Sequence, residues 1–135
     1  MRETVTQSEE LRKLGEKLIQ KHKEFEDIRD AEVRIGYCVS DDARIRDGKA
    51  VLGECTKVKP LYQAFIPYDF LITFFEPNIE ELSKKQKEIL MMHELLHIGI
   101  STVGELTYRI VPHDVEDFRE IIERYGLDWA ATDGE

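Results

Sequence analysis

The sequence predicts an α+β domain in which a small, mainly antiparallel sheet packs against an N-terminal helix, a central helix and a C-terminal helix. Three observations carry this. Apolar residues recur at helical spacing near both ends, four short β-like runs separated by turn residues fill the middle, and a capped, almost wholly apolar helical segment follows them. With 135 residues the chain fits a single domain over 1–135, large enough for a core and too short for separate catalytic and recognition domains.

The first helix is read from Leu11, Leu14, Leu18, Ile19, Phe25 and Ile28, which fall on one face between about Ser8 and Ile28, with Ser8 as N-cap. His22 falls on or beside that stripe and reads as a half-buried, hydrogen-bonded histidine rather than a ligand. The β-like runs are Glu32 to Val39, Ala50 to Val58, Leu61 to Phe65 and Tyr68 to Phe75, punctuated by Asp41-Asp42, Asp47-Gly48, Pro60 and Pro67. The stretch Phe70-Leu71-Ile72-Thr73-Phe74-Phe75 is apolar on both faces, which predicts a strand covered on both sides.

Ser83 with Gln86 three residues on forms a capping-box pattern, so a helix is expected from Lys84 to about Ile100. Its residues Ile89, Leu90, Met91, Met92, Leu95, Leu96, Ile98 and Ile100 are apolar nearly all round, the pattern of a buried central helix. Gly104 and the alternation from Leu106 to Val111 then suggest a short hairpin or extended link. A last amphipathic helix is expected from Asp114 to Tyr125 through Val115, Phe118, Ile121 and Ile122, stopped by Gly126.

Composition narrows the function classes. Apolar residues at 41% and charged residues at 35% describe an ordinary globular chain, with no apolar run long enough for a membrane span. The polar N-terminus lacks a charged-then-apolar leader, so the expected location is the cytoplasm. A net charge of −9 opposes attraction to a phosphate backbone, and no nucleic-acid partner is expected. The cluster Lys84-Lys85-Gln86-Lys87 reads as a solvated helix face. Cys38 and Cys55 form no CxxC pair, which predicts free thiols and neither a disulfide framework nor a zinc ribbon.

The chemistry resides in His93-Glu94-Leu95-Leu96-His97. Histidines four apart on a helix stack one turn apart on one face, where two imidazoles can grip one metal ion. Zinc (Zn2+) suits this set, because it takes imidazole nitrogen readily and keeps an open position for water, whose pKa it lowers towards neutrality. Glu94 is then the general base for that water. Without a shared partner, two histidines and a glutamate in so apolar a helix would each cost a few kcal/mol of desolvation, on the order given for unpaired buried polar groups. The bland alternative is a pair of core histidines bonded to backbone groups beside a solvent-facing glutamate.

A catalytic zinc needs a third protein ligand, and His113, sixteen residues beyond His97, is the leading candidate. Asp114 beside it can accept from its ring or cap the following helix. Glu116 and Glu120 compete with His113, since a glutamate on a later helix is the third ligand in one class of zinc peptidases, although they also resemble the solvent face of that helix. The metzincin arrangement fails, because Ile100 and Val103 stand where it needs glycine and histidine. Cys55 matters because peptide deformylases add an upstream cysteine to HExxH, but their glycine-rich signature is missing and a buried strand thiol is the simpler reading. Tyr108 and Arg109 are read as packing and solvated residues, not catalytic ones.

Taken together, Tyr68-Asp69-Phe70-Leu71-Ile72-Thr73-Phe74, His93-Glu94-Leu95-Leu96-His97-Ile98-Gly99, and His113-Asp114-Val115-Glu116-Asp117-Phe118 with Tyr125-Gly126 resemble the small phage metallopeptidases, similar in style to minimal SprT-like zincins. The resemblance implies a zincin-like α+β domain with His93, His97 and His113 as metal ligands and Glu94 as catalyst. The function expected is therefore a zinc-dependent metallopeptidase, endo- or amino-, acting on a peptide or protein substrate. A deformylase or other amidohydrolase, and a non-catalytic zinc-stabilised interaction module, are the alternatives; a fourth protein ligand such as Cys55 or Glu105 would mark the last.

Overall fold

The stretch Phe70–Phe75 becomes the strand on which the sheet is assembled: Phe70, Ile72 and Phe74 are fully buried on one face, and on the other Phe75 is buried while Leu71 and Thr73 are half-buried. The computed structural model describes residues 2–101 and 104–112. In chain order the elements are β1 (Val5–Gln7), α1 (Glu9–Lys21), a 3-10 turn (Lys23–Phe25), α2 (Glu26–Asp30), β2 (Ile35–Ser40), β3 (Ile45–Arg46), β4 (Lys49–Ala50) and β5 (Gly53–Lys57). Then follow α3 (Pro60–Gln63), β6 (Phe70–Phe75), α4 (Glu76–Ile79), α5 (Lys84–Leu95), β7 (Ile98–Ser101) and β8 (Thr107–Ile110).

The main sheet has the order β1-β2-β6-β5. Strand β6 runs parallel to β2, from Ile35 opposite Phe70 to Ser40 opposite Phe75, and antiparallel to β5, from Gly53 opposite Phe74 to Lys57 opposite Phe70. Strand β1 closes the far side antiparallel to β2. The domain is thus α+β with a mainly antiparallel sheet and several helices. Leu18 and Phe25 from the N-terminal helices, Phe70, Ile72 and Phe74 from β6, and Met91, Met92 and Leu95 from α5 meet in one core. Helix α5 begins where the capping box requires, with Ser83 Oγ accepting from the Gln86 N–H at 3.1 Å and the Gln86 side chain accepting from the Ser83 N–H at 2.8 Å.

Five elements differ from the sequence reading. The N-terminal helix, expected unbroken to Ile28, stops at Lys21 with His22 extended, and a 3-10 turn leads into α2. Arg29 makes the break tolerable by donating to the Ile19 carbonyl, in the last turn of α1, and to the His22 carbonyl, which also accepts from the Phe25 N–H at 3.2 Å. From the turn and α2, Phe25 and Ile28 are buried in the core. The run Leu61 to Phe65, expected as a strand, is instead the short helix α3 and its exit, because Pro60 presets the first helical turn and can give no strand hydrogen bond. Helix α5, expected to reach Ile100, ends at Leu95, and Ile98–Ser101 pairs as a strand. Strand β1 and the tight β3–β4 hairpin at Asp47-Gly48 were not expected as elements; both turn residues take positive φ, the geometry that Asp-Gly supplies. The last helix expected over Asp114–Tyr125 lies outside the described residues.

Among the described residues no helix is long and apolar enough to cross a membrane. Phe74 is fully buried at the centre of the sheet, so Phe74→Ala should lower stability by about 3–5 kcal/mol. Urea unfolding followed by circular dichroism measures this, and a loss below about 1 kcal/mol would remove Phe74 from the core.

Candidate metal centre

The end of α5 sets the geometry. His93 and Glu94 lie in its last turn, while His97 stands just beyond it, between the helix and β7. The Leu96 N–H still donates to Met92 at 3.0 Å, and the His97 N–H donates to the Glu94 carbonyl at 3.1 Å, so the chain tightens into a final turn before it extends. That tightening keeps His97 over the helical face it would have occupied. The imidazole centroids of His93 and His97 are 5.3 Å apart with the rings at 71°.

Strand β8 fixes the second ring. The Val111 N–H donates to the His97 carbonyl at 2.6 Å, and His97 Nδ1 lies 2.6 Å from the Val111 carbonyl oxygen. A carbonyl can only accept, so Nδ1 is the donor, which leaves Nε2 as the nitrogen that could hold a metal. This backbone partner orients the ring as carboxylates or carbonyls orient metal-ligating histidines. Two imidazoles sharing a tetrahedral ion through bonds of about 2 Å have centroids roughly 5 Å apart. The observed separation and the hydrogen bond at Nδ1 therefore fit a zinc ion.

Glu94 is only 3% exposed and lines the same cleft as the two histidines. The cleft has a volume of about 470 Å³ and is open to solvent on one side. Gly53, Glu54 and Cys55 of β5 form another part of its lining, with Arg46, Val51 and Ile110 completing the described part. Gly53 permits the close approach of β5 to the helix: a Cβ there would sit 3.1 Å from the Thr73 carbonyl and 3.4 Å from Glu94 Oε2. Glu54 is held by Arg44 at 3.3 Å and Arg46 at 3.5 Å.

Cys55 thus shares the cleft, but among the described residues no group of three His, Cys, Asp or Glu side chains comes together to hold a metal ion. Burial, reinforced by the neighbouring carboxylates Glu94 and Glu54, pushes the Cys55 thiol well above its ordinary range, so it stays protonated at neutral pH. His22 caps the end of α1 with its ring edge-on to Phe25, away from the cleft lining. Tyr108 packs against Phe70 with centroids 5.8 Å apart, and neither Tyr108 nor Arg109 lines the cleft. His113, Glu116 and Glu120 lie outside the described residues. The sequence reading did not single out Gly53, Glu54, Arg46 or the Val111 carbonyl; only Gly53, a glycine within a strand-like run, carried a signal of close approach.

The family described as "Putative phage metallopeptidase" matches residues 3–133, nearly the whole chain. The chain belongs to this family. A family so described implies a metal. No curated protein and no solved structure matches the chain.

The β7–β8 pairing that holds His97 has little slack. A Cβ at Gly99 would lie 2.8 Å from both Arg109 Cγ and Val111 Cγ2, and 3.2 Å from the Arg109 carbonyl. Gly99→Val should therefore splay the pair and lower stability by about 1–3 kcal/mol. An unchanged urea midpoint would show that the hairpin yields freely.

Proposed function

We propose that this member of the phage metallopeptidase family is a zinc-dependent peptide hydrolase in which His93, His97 and His113 hold the metal and Glu94 is the general base. The observation that carries the proposal is the pair of imidazoles 5.3 Å apart beside a buried carboxylate in an open cleft. The Nδ1 donation from His97 to Val111 supports Nε2 as the ligating nitrogen. His113 follows Val111, whose backbone bonds His97, by two positions in the sequence, which supports its choice as the third ligand. Bound zinc supplies Lewis acidity, which polarises the scissile carbonyl and makes water nucleophilic near neutral pH.

The chain's own part is proton transfer and orientation. Glu94 accepts a proton from the attacking water on its carboxylate and delivers it to the departing amine nitrogen. Its burial beside Gly53 restricts the carboxylate to one side of the cleft, so little orientation is left to find during reaction. A deformylase-type site has less support, since it requires Cys55 as a ligand and Cys55 joins no metal-binding group among the described residues. A purely structural zinc has less support too, because the pair faces a solvent-open cleft.

Two experiments test this reading. The purified protein should hold about one zinc per chain, the content expected of one three-ligand site. His93→Ala and His97→Ala should abolish binding, His113→Ala should weaken it severely, and Glu116→Ala and Glu120→Ala should leave it nearly intact. Metal analysis with chelator competition decides, and the reverse order for His113 and the glutamates would assign the third ligand to a glutamate. Separately, Glu94→Gln should keep both zinc and fold yet lose peptide hydrolysis by several orders of magnitude. Undiminished turnover by that variant would take Glu94 out of the mechanism.

A further inference from the structure

The β3–β4 hairpin beside the cleft carries two cations on one face. Arg46 and Lys49 stand directly opposite each other across the strand pair, flanking the Asp47-Gly48 turn, so their side chains leave the hairpin on the same side. Like charges in that position repel and weaken a hairpin. Among the described residues the one ion pair that either cation makes is that of Arg46 with Glu54, so the acid in the turn, Asp47, does not relieve the repulsion.

That pair leaves Arg46 with donors to spare. Its guanidinium lies 3.5 Å from Glu54 Oε2, a contact without a hydrogen bond, whereas Glu54 Oε1 accepts one from Arg44 at 3.3 Å. The Arg46 side chain is 63% exposed and lines the same cleft as His93, Glu94 and His97, next to the apolar Val51 and Ile110. Apart from the histidines it is the one cationic side chain in the described lining. Its position is fixed, since Asn78 holds the base of the hairpin through the carbonyls of Arg44 and Val51.

We infer that Arg46, reinforced by the charge of Lys49, receives a carboxylate of the peptide substrate, so that the cleft selects chains with an acidic side chain or a terminal carboxylate near the bond to be cut. The inference rests on the peptide-hydrolase reading above and adds its selectivity. A guanidinium offers a carboxylate two parallel N–H donors, a match that a neutral amide or a basic side chain does not reproduce. The incoming carboxylate also relieves the repulsion between Arg46 and Lys49, a gain that a neutral or basic substrate does not bring. An ion pair left in water is weak, but a substrate lying in the cleft covers this one against Val51 and Ile110 and lowers the local dielectric. Glu54 opposes the incoming charge, and its hydrogen bond from Arg44 moderates that opposition.

Calorimetric titration of the full-length Glu94→Gln protein, supplied with equimolar zinc, tests it, because that variant reports binding whether or not hydrolysis follows. The probes are acetylated and amidated octapeptides of alanine and glycine with a single Glu, Gln or Lys at each position in turn, and the same peptides ending in a free carboxylate. The overall charge of −9 repels acidic peptides at long range, so binding is read at about 0.15 M salt, where the Debye length is about 8 Å. At the best position a carboxylate should strengthen binding about tenfold over the matching neutral peptide, the ratio expected of one charge-assisted pair. Arg46→Gln should remove that ratio, Arg46→Glu should turn it into a preference for the Lys peptides, and Lys49→Gln should reduce it. A gain confined to the free-carboxylate set assigns the site to the chain terminus, and a gain in the amidated Glu set assigns it to an acidic side chain. The inference is overturned if carboxylates bring no gain, if the gain persists in both Arg46 variants, or if no peptide binds. Hydrolysis is read separately with Glu94 in place: should none of the peptides be cut while the Arg46-dependent preference holds, the hydrolase reading falls and the carboxylate site stands. A native circular dichroism spectrum establishes that each variant is folded.

Discussion

The geometry of the candidate metal centre depends on the two-way bonding between His97 and Val111. The His97 carbonyl accepts from the Val111 N–H, and the His97 ring donates back to the Val111 carbonyl. Had α5 run on to Ile100, that carbonyl would belong to the helix ladder and β7 could not pair with β8. The chain instead gives up its last helical turn and pairs Ile98–Ser101 with Thr107–Ile110 across a hairpin. The benefit is chemical: a helix terminus alone would leave the His97 ring free to choose a tautomer, whereas the strand dictates one.

The elements that were legible in the sequence are those whose signal is local and strong. Ser8 and Ser83 both cap as their patterns indicate, and the doubly apolar Phe70–Phe75 run is the central strand. The resemblance to phage metallopeptidases, resting on HExxH and its flanking residues, agrees with the family to which the chain belongs. What was misread shares a cause. Periodicity continued past Lys21 and past Leu95, but the Arg29 guanidinium in one case and the Val111 backbone in the other bond the helix ends from outside the helix, which periodicity does not register. Alternation likewise suggested a strand at Leu61–Phe65, where Pro60 favours a helical turn and the apolar side chains remain outside the core. The cleft wall was illegible for the same reason, since Gly53 and Glu54 reach the histidines only through the pairing of β5 with β6.

That wall is braced from behind. Arg44 bonds Glu3, Asp42 and Glu54 and lies 4.5 Å over the Phe75 ring, tying the N-terminal segment and the loop after β2 to the strand beside the cleft. Asn78 adds a second brace by donating to the carbonyls of Arg44 and Val51 at 2.9 and 2.8 Å, one on each side of the β3–β4 hairpin. Individually, partly exposed ion pairs contribute little. Shared through one guanidinium and one amide, they fix the base of the hairpin from which Arg46 reaches the cleft.

The register of the strands has a consequence for the order in which the parts can come together. His93, His97 and the Val111 backbone that orients the second ring all lie within the continuous stretch 84–111, so their arrangement needs only one helix and one hairpin. The wall at Gly53 belongs to a sheet whose central parallel pairing joins Ile35 to Phe70, a closure across a long loop that is slow compared with local structure. The two imidazoles are therefore a sequence-local product, and the enclosure around Glu94 is a sequence-distant one. Folding assembles the donor pair from neighbours in the chain and the chemical surroundings from strangers to it.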